Sequence, residues 1–328
     1  MLTLGVDIGG SKLLASVVAD GGQPLAEARQ ETGRATVPSD IVQRVAELVW
    51  RFGAEGRAPH AIGIGIPGLC DFSAGVVRSS IMLDGWRDVP LARAVSDATG
   101  LPCVVDNDVN AAAACELALR APSGGSMLFV AVGTGIGGAL TFGQEVWRGA
   151  NGLAGEIGNM VIDRGGPRCW CGRRGCLNTL ASGSAIEAAA GIPAGTLASR
   201  YAAGELAVLR AVDAAAQALA IGLGNAINLL NPSLVVLGGG VAQLGGLWLD
   251  AVRGRLRDEA FAEASSACRV ELALAGYEAG ARGAALIARE SPGAPRAIAR
   301  SRRGSTRVPR AAGRGSRSAG GTADRTSR

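Results

Sequence analysis

Short apolar runs broken by glycine open the chain. "LTLGVDI" is followed by "GGSK", a second run "LLASVVA", and another glycine pair. Neither glycine turn opens a helix-period pattern, so the segment predicts two successive hairpins. A helix follows from about Ser39 to Phe52, with Ser39 or Asp40 as its cap. "AIGIGIPGLCD" reads as a buried strand ending in a Gly-Pro loop, and "LPCVVDNDVNAAAACELALRA" as a strand running into an alanine-rich helix. Then the opening pattern returns: "SMLFVAVGTGIGGALTFGQEV" is again strand, glycine turn, strand. Two copies of one hairpin roughly 125 residues apart predict a duplicated architecture with two similar lobes. A long helix from about Glu205 to Leu230 stops at Asn231-Pro232 and feeds the strand "LVVLGGG". The strand "RVELALA" and a helix near Ala279–Ala288 close an α/β fold. We expect lobes over residues 1–115 and 116–290, followed by a segment over 291–328.

Composition sharpens this picture. Hydrophobic residues at 48% with 50 glycines fit a loop-punctuated α/β enzyme. No apolar run approaches the ~18–20 residues of a membrane span, and the first residues lack the basic start of a signal peptide. The expected location is the cytoplasm, with no membrane partner. The net charge of +5 conceals an asymmetry: residues 291–328 hold ten arginines and one acid, leaving −4 for the remainder. That segment has almost no periodic hydrophobics and is expected to be a disordered, solvated extension. Lys12 is the only lysine in the chain. Of the seven cysteines, Cys70, Cys103, Cys115 and Cys268 sit in apolar surroundings and read as small core residues.

Six stretches carry candidate chemistry. In "DIGGSK", Gly9 and Gly10 let backbone N–H groups approach an anion, Ser11 adds a hydroxyl, Lys12 a charge, and Asp7 suits a magnesium ion. The same residues also make a plain glycine hairpin. "GTGIGG", with Gly133, Thr134, Gly135, Gly137 and Gly138, offers a second phosphate cradle. "VLGGG" ends a strand at Gly239 and Gly240, where a flat adenine or ribose fits against bare backbone. Together the three suggest a nucleotide held between two lobes. "VDNDVN" places Asn107 and Asp108 at a strand end before a helix. The alternatives are helix capping, or a proton-accepting Asp108 with Asn107 orienting a hydroxyl nucleophile. Glu156 in "GANGLAGEIGN" is either a binder of sugar hydroxyls or a surface acid. Cys169, Cys171 and Cys176 lie at C-x-C-x4-C, most of a zinc knuckle. No histidine is near, since the only one is His60.

In order, "GVDIGGSK", "GIGIPGLCD", "DNDVNAAAACE", "VGTGIGGAL", "RGANGLAGEIG", "CWCGRRGC" and "NPSLVVLGGGV" resemble the ROK family of repressors, open reading frames and sugar kinases. The resemblance covers about residues 2–290. It implies the actin-like ATPase fold, ATP with Mg2+ between two lobes, phosphorylation of a hexose, usually at O6, and a homodimer. By resemblance Asp108 is the general base. Gly68, Asn107, Asp108, Glu156, Asn159 and Asn178 meet the sugar, and the glycine loops meet ATP.

The departures fall on the sugar side. Where the family has a histidine serving zinc and sugar, this chain has Asn159. Where it ends the cysteine motif in glutamate, this chain has Asn178, and a Pro-Asn pair appears as Ile81-Met82. Exchanging charged for amide groups shifts sugar choice. The candidates are glucose, N-acetylated hexosamines, or kanosamine, whose phosphorylation belongs to antibiotic biosynthesis. The rivals are a sugar-responsive regulator and a sensor without kinase activity. A repressor of this family carries about 60–80 residues of helix-turn-helix ahead of the first phosphate motif, and here Asp7 arrives at once, so nucleic acid is not an expected partner.

Overall fold

The computed structural model describes residues 1–80, 82–120 and 125–290. The basic segment and Ile81 lie outside the described residues. In chain order the elements are β1 (Leu2–Ile8), β2 (Lys12–Ala19), β3 (Pro24–Glu31), α1 (Pro38–Ala54), β4 (Ala61–Ile66), β5 (Leu69–Asp71), β6 (Val76–Ser79), β7 (Arg87–Val89), α2 (Leu91–Thr99), β8 (Cys103–Asn107) and α3 (Asp108–Arg120). There follow β9 (Ser126–Val132), β10 (Ile136–Phe142), β11 (Glu145–Trp147), α4 (Asn178–Ala181), α5 (Gly183–Ala190), α6 (Leu197–Ala202), α7 (Leu206–Leu230), β12 (Leu234–Gly238), α8 (Gly246–Glu259), α9 (Ala262–Ala267), β13 (Arg269–Leu272) and α10 (Ala279–Glu290).

The predicted repeat is present as two five-stranded sheets of the same plan. The first runs β3-β2-β1-β4-β8 and the second β11-β10-β9-β12-β13. In each, an antiparallel hairpin pair is continued by parallel strands. β1 and β4 are apolar on nearly every residue because helices cover the sheet, as continuous runs in parallel strands require. One core gathers Leu4, Val6, Ile62, Ile64 and Phe52, and a second gathers Val130, Val132, Leu219, Leu223 and Trp248.

Three expectations need correction. The N-cap of α1 is Val37, without a side-chain cap, because Pro38 takes the first helical position where its missing N–H costs nothing. The loop expected after Ile66 soon becomes β5, part of a small three-stranded sheet with β6 and β7. And α7 is long and apolar enough, by length and composition, to cross a membrane. Its buried residues, among them Ala216, Leu219, Leu223 and Ile227, lie in the second core, so packing within the chain absorbs that apolarity.

The last helix returns to the first sheet. A Cβ at Gly5 would stand 1.8 Å from the carbonyl oxygen of Ala281, and one at Gly63 1.9 Å from that of Ala284. Only glycine lets α10 lie this close to β1 and β4.

Candidate active site

The ends of both sheets open on one cleft of about 970 Å³. The turn between β1 and β2 supplies Gly9 and Gly10, the turn between β9 and β10 supplies Gly133, Thr134 and Gly135, and the start of β10 supplies Gly137. Both turns are pinned. Gly9 N–H donates to the Lys12 carbonyl at 2.7 Å, Thr32 Oγ1 donates to the Gly9 carbonyl, and Gly133 N–H donates to the Gly135 carbonyl at 2.8 Å. Gly68, Asn107, Asp108, Glu156, Asn159, Asn178, Gly239 and Cys171 complete the expected residues on the wall.

Asp7, Ser11, Lys12, Gly240, Cys169 and Cys176 do not line the cleft. Gly138 is also absent from the cleft wall and lies against the loop that bears Glu156. A Cβ there would come within 2.5 Å of the Gly155 carbonyl oxygen, so its bareness lets the loop bearing Glu156 lie against β10.

Asp108 is the first residue of α3, and the capping reading of its turn holds. Asn107 Oδ1 accepts the N–H groups of Val109 and Asn110 as a helix cap, while its Nδ2 donates to the Gly68 carbonyl at 3.1 Å. The Asp108 carboxyl is pushed up to about 6, first by burial and then by the charges of Glu156 and Asp106, against a lowering hydrogen bond from Val109 N–H. Asp7 is pushed up to about 7 by burial and by the charge of Asp108, with Lys12 pulling the other way. A buried carboxyl such as Asp7, held up by burial and by the Asp108 charge, is a donor suited to a hard divalent cation.

On the opposite wall, the amides that replace the family's charged groups form a chain. Ile136 N–H donates to Asn178 Oδ1, Asn178 Nδ2 donates to Asn159 Oδ1 at 3.5 Å, and Asn159 Nδ2 donates to Glu156 Oε2 at 2.8 Å. The backbone N–H at one end and the carboxylate at the other fix which way each amide points. Burial raises the Glu156 carboxyl, and the Asn159 bond partly offsets that.

The sulfurs of Cys169, Cys171 and Cys176 all lie within 4.8 Å of one another, with Cys171 and Cys176 at 3.5 Å. Thiolates around one tetrahedral zinc with ~2.3 Å bonds stand ~3.8 Å apart, so the three fit such an ion. Arg173 hydrogen bonds pull the Cys171 thiol down, while burial pushes that of Cys176 up. Cys70, Cys115 and Cys268 are buried as expected and Cys103 is half-buried, each raised by burial.

Sequence reasoning missed three residues. Trp170 and Arg173 line the cleft from within the cysteine motif, where an aromatic and a cation between thiols were the available signal. Arg148 had no signal beyond preceding a glycine loop; its side chain ion-pairs with the buried Asp106.

Twin five-stranded sheets facing one cleft, each with a glycine hairpin at its mouth, define the actin-like ATPase fold. The chain belongs to the ROK family, whose model matches residues 3–291. It is similar to the crystal structure of a ROK family glucokinase from Streptomyces griseus in complex with glucose and AMPPNP, at 31% identity and a TM-score of 0.79, covering 89% of this chain and 100% of that one. A ROK hexokinase structure from Thermus thermophilus has 36% identity and a TM-score of 0.76, covering 88% and 98%. An N-acetylmannosamine kinase of Citrobacter koseri is 33% identical over 295 residues, covering 88% of this chain and 99% of its own length.

Proposed function

We propose that this protein is an ATP-dependent sugar kinase that transfers the γ-phosphoryl group to a hydroxyl, O6, of a hexose or amino-hexose. The observation that carries the reading is the single cleft on which Asp108, both glycine hairpins and Glu156 converge. Kinase relatives over nearly the whole chain support it.

The roles follow from the geometry. Backbone N–H groups of the two hairpins suit the phosphates and bare Gly239 suits the nucleoside. Glu156 and Asn107 hold the acceptor hydroxyls, and Asp108 takes the proton of the attacking one. A carboxyl held near pH 6 is mostly ionised at neutral pH and still basic enough to accept a proton. Asp7 is the residue that would hold Mg2+, which neutralises charge on the transferring group. The three cysteines would hold zinc as a three-thiolate set outside the chemistry. The amide chain at Asn159 and Asn178 supports an acceptor range that differs from glucose alone, with N-acetylated hexosamines and kanosamine as the sharpest candidates. We divide the chain near Cys115 into two lobes, with α10 returning to the first.

ATP-dependent phosphorylation measured over a panel of hexoses and aminohexoses tests this reading. Turnover of at least one, abolished by Asp108→Asn, is the expected result. Binding of sugars with no turnover of any would refute it.

A further inference from the structure

Arg148 follows β11 and begins the loop that ends at Glu156. Its side chain crosses to the first sheet, where Nε and Nη2 both donate to Asp106 Oδ2, at 2.8 and 2.6 Å. Nη1 donates to the carbonyl of Val146. The guanidinium lies over the ring of Phe72, with its carbon 3.8 Å from the ring centroid. The Asp106 side chain is only 4% exposed, and its other oxygen accepts from Asn107 N–H and Asn110 Nδ2. With four donors on two oxygens, this carboxylate is saturated, and the turn bearing Asn107 and Asp108 hangs from it. The backbone of Arg148 works on the other segment. Its carbonyl accepts the Ala154 N–H at 3.1 Å and closes the loop just before Gly155 and Glu156.

We propose that Arg148 is a positioning residue that registers Asp108, just past the end of β8 in the first sheet, against Glu156, on a loop of the second. It does not line the cleft, so it acts only through Asp106 and through its own loop. A lysine would keep the charge but not the two-nitrogen grip or the stacking on Phe72. The kinetic consequence rests on the phosphotransfer reading; the positional one does not.

Arg148→Met alone strands a buried charge and is expected to destabilise the fold, so the deciding variant pairs it with Asp106→Asn, which removes both charges together. Hydrogen exchange and steady-state kinetics are read on this pair beside the wild type. Exchange over residues 106–112 and 152–158 is expected to quicken about tenfold or more, with β9 and β12 unchanged. We expect kcat to fall about a hundredfold while KM for ATP stays within about twofold. Wild-type exchange in both segments, or recovery of wild-type kcat along with stability, would make Arg148 a mere charge partner and overturn the proposal. If the wild type phosphorylates no sugar, the phosphotransfer reading fails, and the exchange measurement still decides the role of Arg148.

Discussion

Replacing Asp108 with asparagine separates what the carboxylate does for chemistry from what it costs the fold. Burial, with the charges of Glu156 and Asp106, raises this carboxyl from 3.8 to about 6. At ~1.36 kcal/mol per pH unit, keeping it ionised costs the folded state about 3 kcal/mol. The sign follows from proton binding. Between pH 3.8 and about 6 the folded protein holds a proton that the unfolded chain has released, so stability falls as pH rises through that window. The amide carries no such cost and can still accept the Val109 N–H. Metal-free Asp108→Asn protein is therefore expected to be about 3 kcal/mol more stable than wild type at pH 7.5, and equal to it below pH 3.8. Urea unfolding at several pH values reads the difference, because a shifted midpoint at constant slope is a change in stability. In a coupled ADP-release assay the same variant should lose ~10²–10⁴ in kcat. The wild type should lose activity on acidification, about tenfold by one unit below the Asp108 value. An unchanged urea midpoint at pH 7.5, or more than about a tenth of kcat retained, would refute the reasoning.

Asn178→Ala cuts the amide chain and leaves the Ile136 N–H without its acceptor. A loss of ~1–2 kcal/mol predicts KM for the acceptor sugar up about tenfold, with a smaller change in kcat. Purified protein is expected to carry about one zinc per chain by elemental analysis, and Cys176→Ser to carry none; active wild type without zinc would reduce the three thiols to a structural cluster. Gly280→Ala places a Cβ 2.6 Å from the Asp7 carboxyl carbon, so Asp7 must shift. The activating Mg2+ concentration should rise, and an unchanged Mg2+ dependence would remove Asp7 from the metal site.

Both sheets were legible because their inner strands, such as β4, β9 and β12, are apolar on nearly every residue and their glycine turns repeat, a pattern that needs no partner to interpret. The site residues were legible as motifs, but their geometry was not. That Asn107 caps a helix and also reaches Gly68 depends on the approach of a loop thirty-nine positions away. Gly138 reads as a phosphate glycine in the motif, and only the fold reveals that Gly155 lies against it. Asn159 and Asn178 could be recognised as substitutions, yet their common alignment from Ile136 to Glu156 exists only in the folded loop. Arg148 was invisible because nothing local distinguishes an arginine aimed at a buried aspartate from the many that face water.

The close seat of α10 on β1 and β4 also bears on how the protein is made. A ribosome releases the strands of the first sheet early, but the helix that covers Gly5 and Gly63 emerges more than two hundred residues later. Until then one face of that sheet stays uncovered, a surface for holding chaperones or for misassembly. The second sheet, whose long helix α7 is synthesised between its own strands, can mature while the first still waits.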